Sequence, residues 1–357
     1  MPMLHAHSRL LWRLLIGTLS AVSLFAIVLF VSNSNSSAKV SSSKPPSRYC
    51  LAAVSDEDER SKQKDGRFLS YTKLAVLSAG SETEPWRVRW EDEASSLYSF
   101  TGYKGRGMEL SELVNFNGET LACDDRTGII YSIKPNKAIR KWMLNDGDGN
   151  QEKGFKCEWM TVKDGYLYVG SIGKEWTFPK NDTIRNDHTL YVKKISKNGE
   201  ISSIKFHDQY NALRKATGTT HPGYMIQEAV VWSKVYKRWF FLPRRVSQQA
   251  YNDDQDEKRG SNLVLVASED FETIESRPIG PLVSTRGYSS AKILTHRHDV
   301  FAVLKSEEVK GVVKSYFSVF SIDGTVFIKD QFIGNYKFEG LEIVDDEWCL
   351  DYFNKKR

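Results

Sequence analysis

The chain has 357 residues, enough for one large domain or two ordinary ones, and carries a formal net charge of +5. Residues 1–48 hold Arg9, Arg13, Lys39, Lys44 and Arg48 and no acid, so the whole excess sits in the N-terminal tail and the rest of the chain is neutral. A domain that grips nucleic acid needs a basic surface of its own, so this balance argues against nucleic-acid binding.

Taken in order, the chain opens with a basic tail over residues 1–13. It continues into an uncharged apolar run from Leu14 to Val31, at the lower edge of bilayer-spanning length. Arg9 and Arg13 flank the run on its N-terminal side, which predicts a type II signal anchor with that end in the cytosol. A cleaved signal peptide is the competing reading, with Ser32-Asn33-Ser34 offering only a weak cleavage site. Both readings send the remainder into the secretory pathway. Residues 32–50 read as a Ser/Asn/Lys/Pro stem with too little apolar content to pack. Asn35-Ser36-Ser37 and Asn181-Asp182-Thr183 are glycosylation sequons. Cys50, Cys123, Cys157 and Cys349 lack metal-type spacing. One disulfide, two, or buried free thiols all remain compatible with them.

Residues 51–357 are patterned as β structure almost throughout. Gly128–Ile133, Lys237–Leu242, Leu263–Ser268 and Val300–Lys305 read as short strands, and Val162–Gly170 and Tyr316–Ile328 as hairpins with Asp-Gly turns. Asp208–Ala216 reads as an inserted helix, and the charged run Asn252–Arg259 as a solvated loop. A related unit recurs. Ser111 and Glu158 each stand seven residues before a turn glycine, Gly118 and Gly165. Glu228, Ser289 and Glu339 each enter an apolar strand after an aromatic segment, at Tyr224, Tyr288 and Tyr336–Phe338. The five positions are spaced 47, 70, 61 and 50 residues apart. Such spacing predicts an all-β, five-bladed β-propeller, with the five oxygen-bearing side chains in one ring around its axis.

Three carboxylates converging on a narrow channel raise one another's pKa unless a cation answers them. An oxygen-only donor set at flexible spacing suits Ca²⁺ better than Zn²⁺. Any one of these glutamates alone is more simply an exposed strand-end residue; the recurrence is what favours the ring. Asn145-Asp146-Gly147-Asp148-Gly149 looks like half a calcium loop but lacks the later acidic ligands, and a plain turn is the simpler reading. Arg244 and Arg245 follow a strand too apolar to be exposed, which aims at least one guanidinium into a cleft, where it suits a phosphate. Neither a phosphate-cradling glycine loop, nor a serine-nucleophile elbow, nor a zinc-protease helix motif is present in the sequence.

Read together, these stretches resemble the calcium-activated nucleotidase (apyrase) family. The matching runs include Gly105–Ser111, Asp124–Gly128, Asp146–Gly149, Glu152–Lys156, Glu158-Trp159, Gly173–Trp176, Tyr210–Arg214, Arg238–Arg245 and Leu304–Glu308, and the resemblance spans about residues 55 to 344. It implies a five-bladed propeller with Ca²⁺ on the axis, held through Ser111, Glu112, Glu158, Glu228, Ser289 and Glu339. It implies hydrolysis of nucleoside di- and triphosphates, UDP and GDP ahead of ADP and ATP, in the endoplasmic reticulum or Golgi. Asp58, Glu158, Asp125 and Arg126 are the expected catalytic residues, with Lys62, Arg244, Arg245 and Trp176 holding the substrate. One departure stands out. The family's Asp-x-Asp-x-x-Ser-Arg run is here Asp56-Glu57-Asp58-Glu59-Arg60-Ser61-Lys62, so Lys62 replaces the arginine and loses its bidentate fork; Arg60 is the nearest substitute. Trp176 or Tyr224 would stack on the base. The rival readings are a calcium-stabilised lumenal propeller that binds glycan or protein, and a propeller esterase or lactonase. The sequence leaves open whether the chain forms a homodimer.

Overall fold

The computed structural model describes residues 48–81, 84–178 and 182–354. The expected anchor at 14–31 and most of the stem lie outside these residues. Among the described residues, no helix is long and apolar enough to cross a membrane.

Five antiparallel sheets surround one axis. Their innermost strands are Leu110–Phe116, Trp159–Lys163, Tyr224–Ser233, Arg286–Leu294 and Phe338–Val344. Each touches the next and the last touches the first, so the ring is closed. Four blades, the second to the fifth in chain order, are each built from one continuous stretch of chain. The first is shared between the two ends of the described chain: Phe338–Val344 is its inner strand and pairs with Arg48–Ser55, which pairs in turn with Phe68–Ser78. Arg48 to Cys50 are thus part of a strand, and the fold begins slightly before the expected end of the stem.

Local chemistry fixes the inner hairpins. Asn117-Gly118 and Asp164-Gly165 have φ of 52° and 80°, and 51° and 79°. Two successive left-handed residues form the tight turn whose twist matches paired strands, and Asn or Asp followed by Gly tolerates it best. Gly340 is required for another reason. A Cβ there would lie 2.7 Å from the Glu112 carbonyl carbon, where two inner strands converge on the axis.

The core is divided into one apolar cluster per blade junction. Strand alternation makes this division. Phe241 packs with Trp159 and Trp239 between the third and fourth blades, while its neighbour Phe240 packs with Phe301 between the fourth and fifth. Leu51 and Ala52 separate in the same way across the closing blade. Two disulfides are present. Cys50–Cys349 ties the C-terminal helix Asp346–Asn354 to the closing blade, and Cys123–Cys157 joins the second blade to the approach of the third. The expected inserted helix is found at His207–Ala216.

Candidate active site

A strand started regularly would carry its side chains alternately to the two blade faces, and none would point down the axis. Four of the five ring positions escape this through β-bulges. Register slips leave Ser111, Glu228 and Ser289 unpaired within their ladders, and the slip between Val54 and Ser55 does the same for Glu339. A bulge bends the strand and re-aims the side chain it carries. Glu158 stands just before its strand, its amide bonded to the Gly170 carbonyl at 2.8 Å. All five side chains are buried. Ser111 Oγ lies 3.3 Å from Glu339 Oε2, and Ser289 Oγ donates to the Phe338 carbonyl at 3.0 Å.

Above the ring opens a polar pocket of about 480 Å³. Its floor pairs acids with cations. Arg244 Nη1 donates to Glu228 at 2.8 and 2.9 Å and to Glu339 Oε1 at 2.7 Å. Lys156 bridges Glu158, at 2.8 Å, and Asp125. Lys337 reaches Asp56 at 2.7 Å, Asp58 at 3.1 Å and Glu339 at 3.4 Å. Arg106 reaches Glu109 and, at 3.0 Å, Asp58. Asp58 holds a φ of 47°, uncommon outside glycine, which turns its carboxylate toward both Lys337 and Arg106.

Carboxylates outnumber the cations that answer them on this floor. Burial, with Glu228 and Asp125 nearby, raises Glu158 to about 8 against the pull of Lys156. Glu339 is pushed well up by burial, with Lys337 opposing and Glu228 adding to the rise. Burial raises Glu109 to about 8 and Asp56 to about 6. Burial also acts on Asp58, but Lys337 outweighs it and holds that carboxyl below its usual range. An excess of buried carboxylate with an oxygen-only donor set fits a hard divalent cation at the ring of Ser111, Glu158, Glu228, Ser289 and Glu339. Oxygens of Asp56, Glu109 and Asp125 also lie within 4.8 Å of one another, each carboxylate facing its own ammonium or guanidinium.

Two guanidinium groups on the pocket wall keep spare donors. Arg126 Nε and Arg245 Nη1 are buried with no hydrogen-bond partner among the described residues. The ladder slips between Ile226 and Gln227, where Arg244 is passed over. That slip lets Arg244 and Arg245, adjacent in sequence, both face the pocket. Trp176 lines it as well.

Other expected residues are placed elsewhere. Glu112 lies apart from the ring; its Oε1 accepts from Leu113 N and Ser290 Oγ, both at 2.8 Å, with Lys292 at 3.3 Å. Lys62 is exposed and does not line the pocket, and Arg60 pairs with Glu57 at 3.3 Å. The arginine beside Asp58 is Arg106. Tyr224 is buried, its hydroxyl donating to Asp256. The run at 252–259 is not simply a solvated loop: it contains the short helix Asp253–Asp256 and supplies Asp253, Asp256 and Glu257 to the pocket wall. In the loop 145–149, Lys193 donates to the Gly147 carbonyl at 2.6 Å. Lys156, Lys337 and Arg106 were not singled out by sequence reasoning. Lys156 and Lys337 share a signal that could have found them, a lysine two residues before a ring glutamate.

Residues 55–344 match the family model described as Apyrase. Among curated proteins, the chain is 42% identical to the soluble calcium-activated nucleotidase 1 of Rattus norvegicus over 299 residues, covering 83% of this chain and 74% of the relative. It is 40% identical to an apyrase of Cimex lectularius over 305 residues, covering 83% of each. It is also 40% identical to apyrase apy-1 of Caenorhabditis elegans over 301 residues, 82% of this chain and 83% of the relative.

Proposed function

This chain belongs to the apyrase family and is a nucleotide-hydrolysing enzyme, and from that premise we propose that it is a calcium-dependent nucleoside di- and triphosphate hydrolase. UDP and GDP are its favoured substrates, ahead of ADP and ATP, and the products are the monophosphate and orthophosphate. The observation that carries this reading is the pairing of unanswered donors on Arg126 and Arg245 with buried acids beneath them in one pocket.

Ser111, Glu158, Glu228, Ser289 and Glu339 would hold the Ca²⁺. When bound, the ion supplies positive charge that offsets the phosphate oxygens. Arg126 and Arg245 bind the terminal phosphoryl group through their spare N–H donors and stabilise the charge that spreads over its oxygens. Asp58, kept ionised by Lys337, orients the attacking water and accepts its proton as the new P–O bond forms. The anhydride bond to the leaving phosphate breaks, and Lys156 faces the charge that develops. Arg244 positions Glu228 and Glu339.

The test is phosphate release by the full chain from UDP, GDP, ADP, ATP and UMP, with Ca²⁺, with Mg²⁺ and with chelator. Release from di- and triphosphates in Ca²⁺ alone is expected. A calcium-dependent rise in melting temperature with no release would favour a binding propeller instead. We also propose a type II placement in the secretory pathway through residues 14–31. Glycosidase sensitivity and protease protection of the propeller in intact microsomes are expected, and cleavage by added protease would refute it.

A further inference from the structure

The two disulfides differ in what stands beside them. Cys123 lies between strand partners on both sides, Glu112 and Ile130, and is followed by Asp124, Asp125 and Arg126. Asp124 pins the turn that follows, accepting from Met108 N at 2.8 Å, Arg126 N at 2.9 Å and Thr127 N at 3.2 Å. This half of the bond is anchored by its own blade. Cys157 is placed otherwise. It stands between Lys156 and Glu158, in a stretch outside the strands. Phe155 N donates to the Leu144 carbonyl and Glu158 N to the Gly170 carbonyl, each at 2.8 Å. Between them, among the described residues, Cys157 N donates to the Phe155 carbonyl two residues back, at 3.0 Å. That bond ties the stretch to itself and not to a blade.

Both sulfurs are fully buried, in the apolar cluster with Leu144, Phe155 and Met160. The two neighbours of Cys157 line the pocket instead. Lys156 reaches Asp125 and Glu158, and Glu158 enters the ring. The disulfide thus draws Cys157 into the core while Lys156 and Glu158 are delivered to the pocket floor. Its other end is two residues from Asp125, the carboxylate that Lys156 holds. One covalent link and one ion pair therefore close a small circuit across the junction of the second and third blades. Cys50–Cys349 has no such neighbours. Cys50 is laddered to Val76 on one side and Val344 on the other, and Cys349 sits on the C-terminal helix.

We propose that Cys123–Cys157 is the positioning element of the cation ring: it fixes the stretch that carries Glu158, and Ca²⁺ affinity depends on its being oxidised. The inference rests on the reading of the ring as a Ca²⁺ site and adds a condition to it. A ligand held in place beforehand spares the ion the cost of ordering it. Forming the bond takes two electrons and two protons from the thiols and passes them to a disulfide oxidant, which leaves as two thiols. A chain that has not made this exchange keeps its blades but holds Glu158 loosely. Coupling between two equilibria is reciprocal, so bound Ca²⁺ in turn favours the oxidised form of this bond by the same factor.

The test brings the full chain to equilibrium in buffers of reduced and oxidised dithiothreitol, with Ca²⁺ or with chelator. Each cysteine is then read by alkylation and peptide mass. Ca²⁺ is expected to raise the oxidised-to-reduced ratio of Cys123–Cys157 about tenfold and to leave that of Cys50–Cys349 unmoved. No shift at Cys123–Cys157 overturns the proposal. An equal shift at both bonds does so too, because the ion would then only be stabilising the whole fold. Paired variants give a second reading. Cys123→Ala with Cys157→Ala raises the Ca²⁺ dissociation constant about tenfold by isothermal titration. Cys50→Ala with Cys349→Ala lowers the melting temperature in chelator and leaves that constant as it was. A folded Cys123→Ala/Cys157→Ala protein with the wild-type constant overturns the proposal, and if that variant fails to fold, the redox equilibrium of the wild type decides. A wild type that binds no Ca²⁺ overturns the ring reading itself, an outcome distinct from the others.

Discussion

The axis of this propeller carries two sets of acids and hydroxyls, one to three residues apart in sequence, that behave in opposite ways. Ser111, Glu228, Ser289 and Glu339 sit on bulges and aim into the ring, where the acids are answered by side-chain cations of the pocket floor. Their neighbours Glu112, Ser290 and Glu342 lie within the ladders and are answered largely by backbone. Glu112 takes Leu113 N at 2.8 Å, while Glu342 takes Ile343 N and Asn115 N at 2.7 and 3.0 Å. Ser290 both donates to Glu112 and accepts from Leu341 N, tying the fifth blade to the second and the closing blade. The lesson is that residue type does not separate a working carboxylate from a structural one. What separates them is whether backbone amides share in holding the side chain: they bond Glu112 and Glu342, whereas Glu228 and Glu339 face side-chain cations.

The largest break in that comparison should come from Glu158→Gln. It is expected to cut kcat/KM on UDP by roughly a thousandfold, the scale on which removing a key electrostatic group acts. It should also abolish the calcium-dependent rise in melting temperature, and retention of both would remove Glu158 from the ring. Next is Glu112→Gln, whose effect should appear in stability. Burial raises Glu112 to about 7 from an ordinary 4.5, with Lys292 opposing. Between those values the folded chain keeps a proton that the unfolded chain has released, so this group's contribution falls as pH rises from 4.5 to 7. The fall is on the order of 3 kcal/mol. Denaturant midpoints in chelator at pH 4.5 and 7.5 should differ less in the variant than in the wild type. An unaltered difference would mean Glu112 is already ionised throughout.

The adjacent serines sharpen the contrast further. Ser290→Ala leaves a buried carboxylate and an amide each short of a partner, and about 2 kcal/mol of stability should be lost. Ser289→Ala is expected to cost the fold less and to weaken Ca²⁺ affinity by about tenfold, read by isothermal titration. Equal effects of the two substitutions on both readouts would erase the distinction between ring and ladder.

Much of the site is legible in the sequence. The five ring positions recur with an apolar strand after each, and strand periodicity carries that signal directly. The bulges that make the ring work were not legible, because a bulge is a mismatch between two strands and a single strand does not display it. Glu112 enters the expected metal set only through the family resemblance; the ladder pairs it with Cys123 and passes over Ser111, which the linear order does not display. The acidic and basic mix from Asn252 to Arg259 read as solvent-facing because its partners, Arg245 and Tyr224, lie on another part of the blade. Arg106 was missed because its tie to Asp58 crosses from the second blade to the closing one.

The closing blade imposes an order of events on the molecule. Its inner strand, Phe338–Val344, is the last strand among the described residues, and Lys337 and Glu339 arrive with it. Until that strand docks, the ring lacks Glu339 and the pocket floor lacks Lys337 as well. The other four blades can stand side by side and still enclose an unfinished pocket, so closing the circle and finishing the site become a single event.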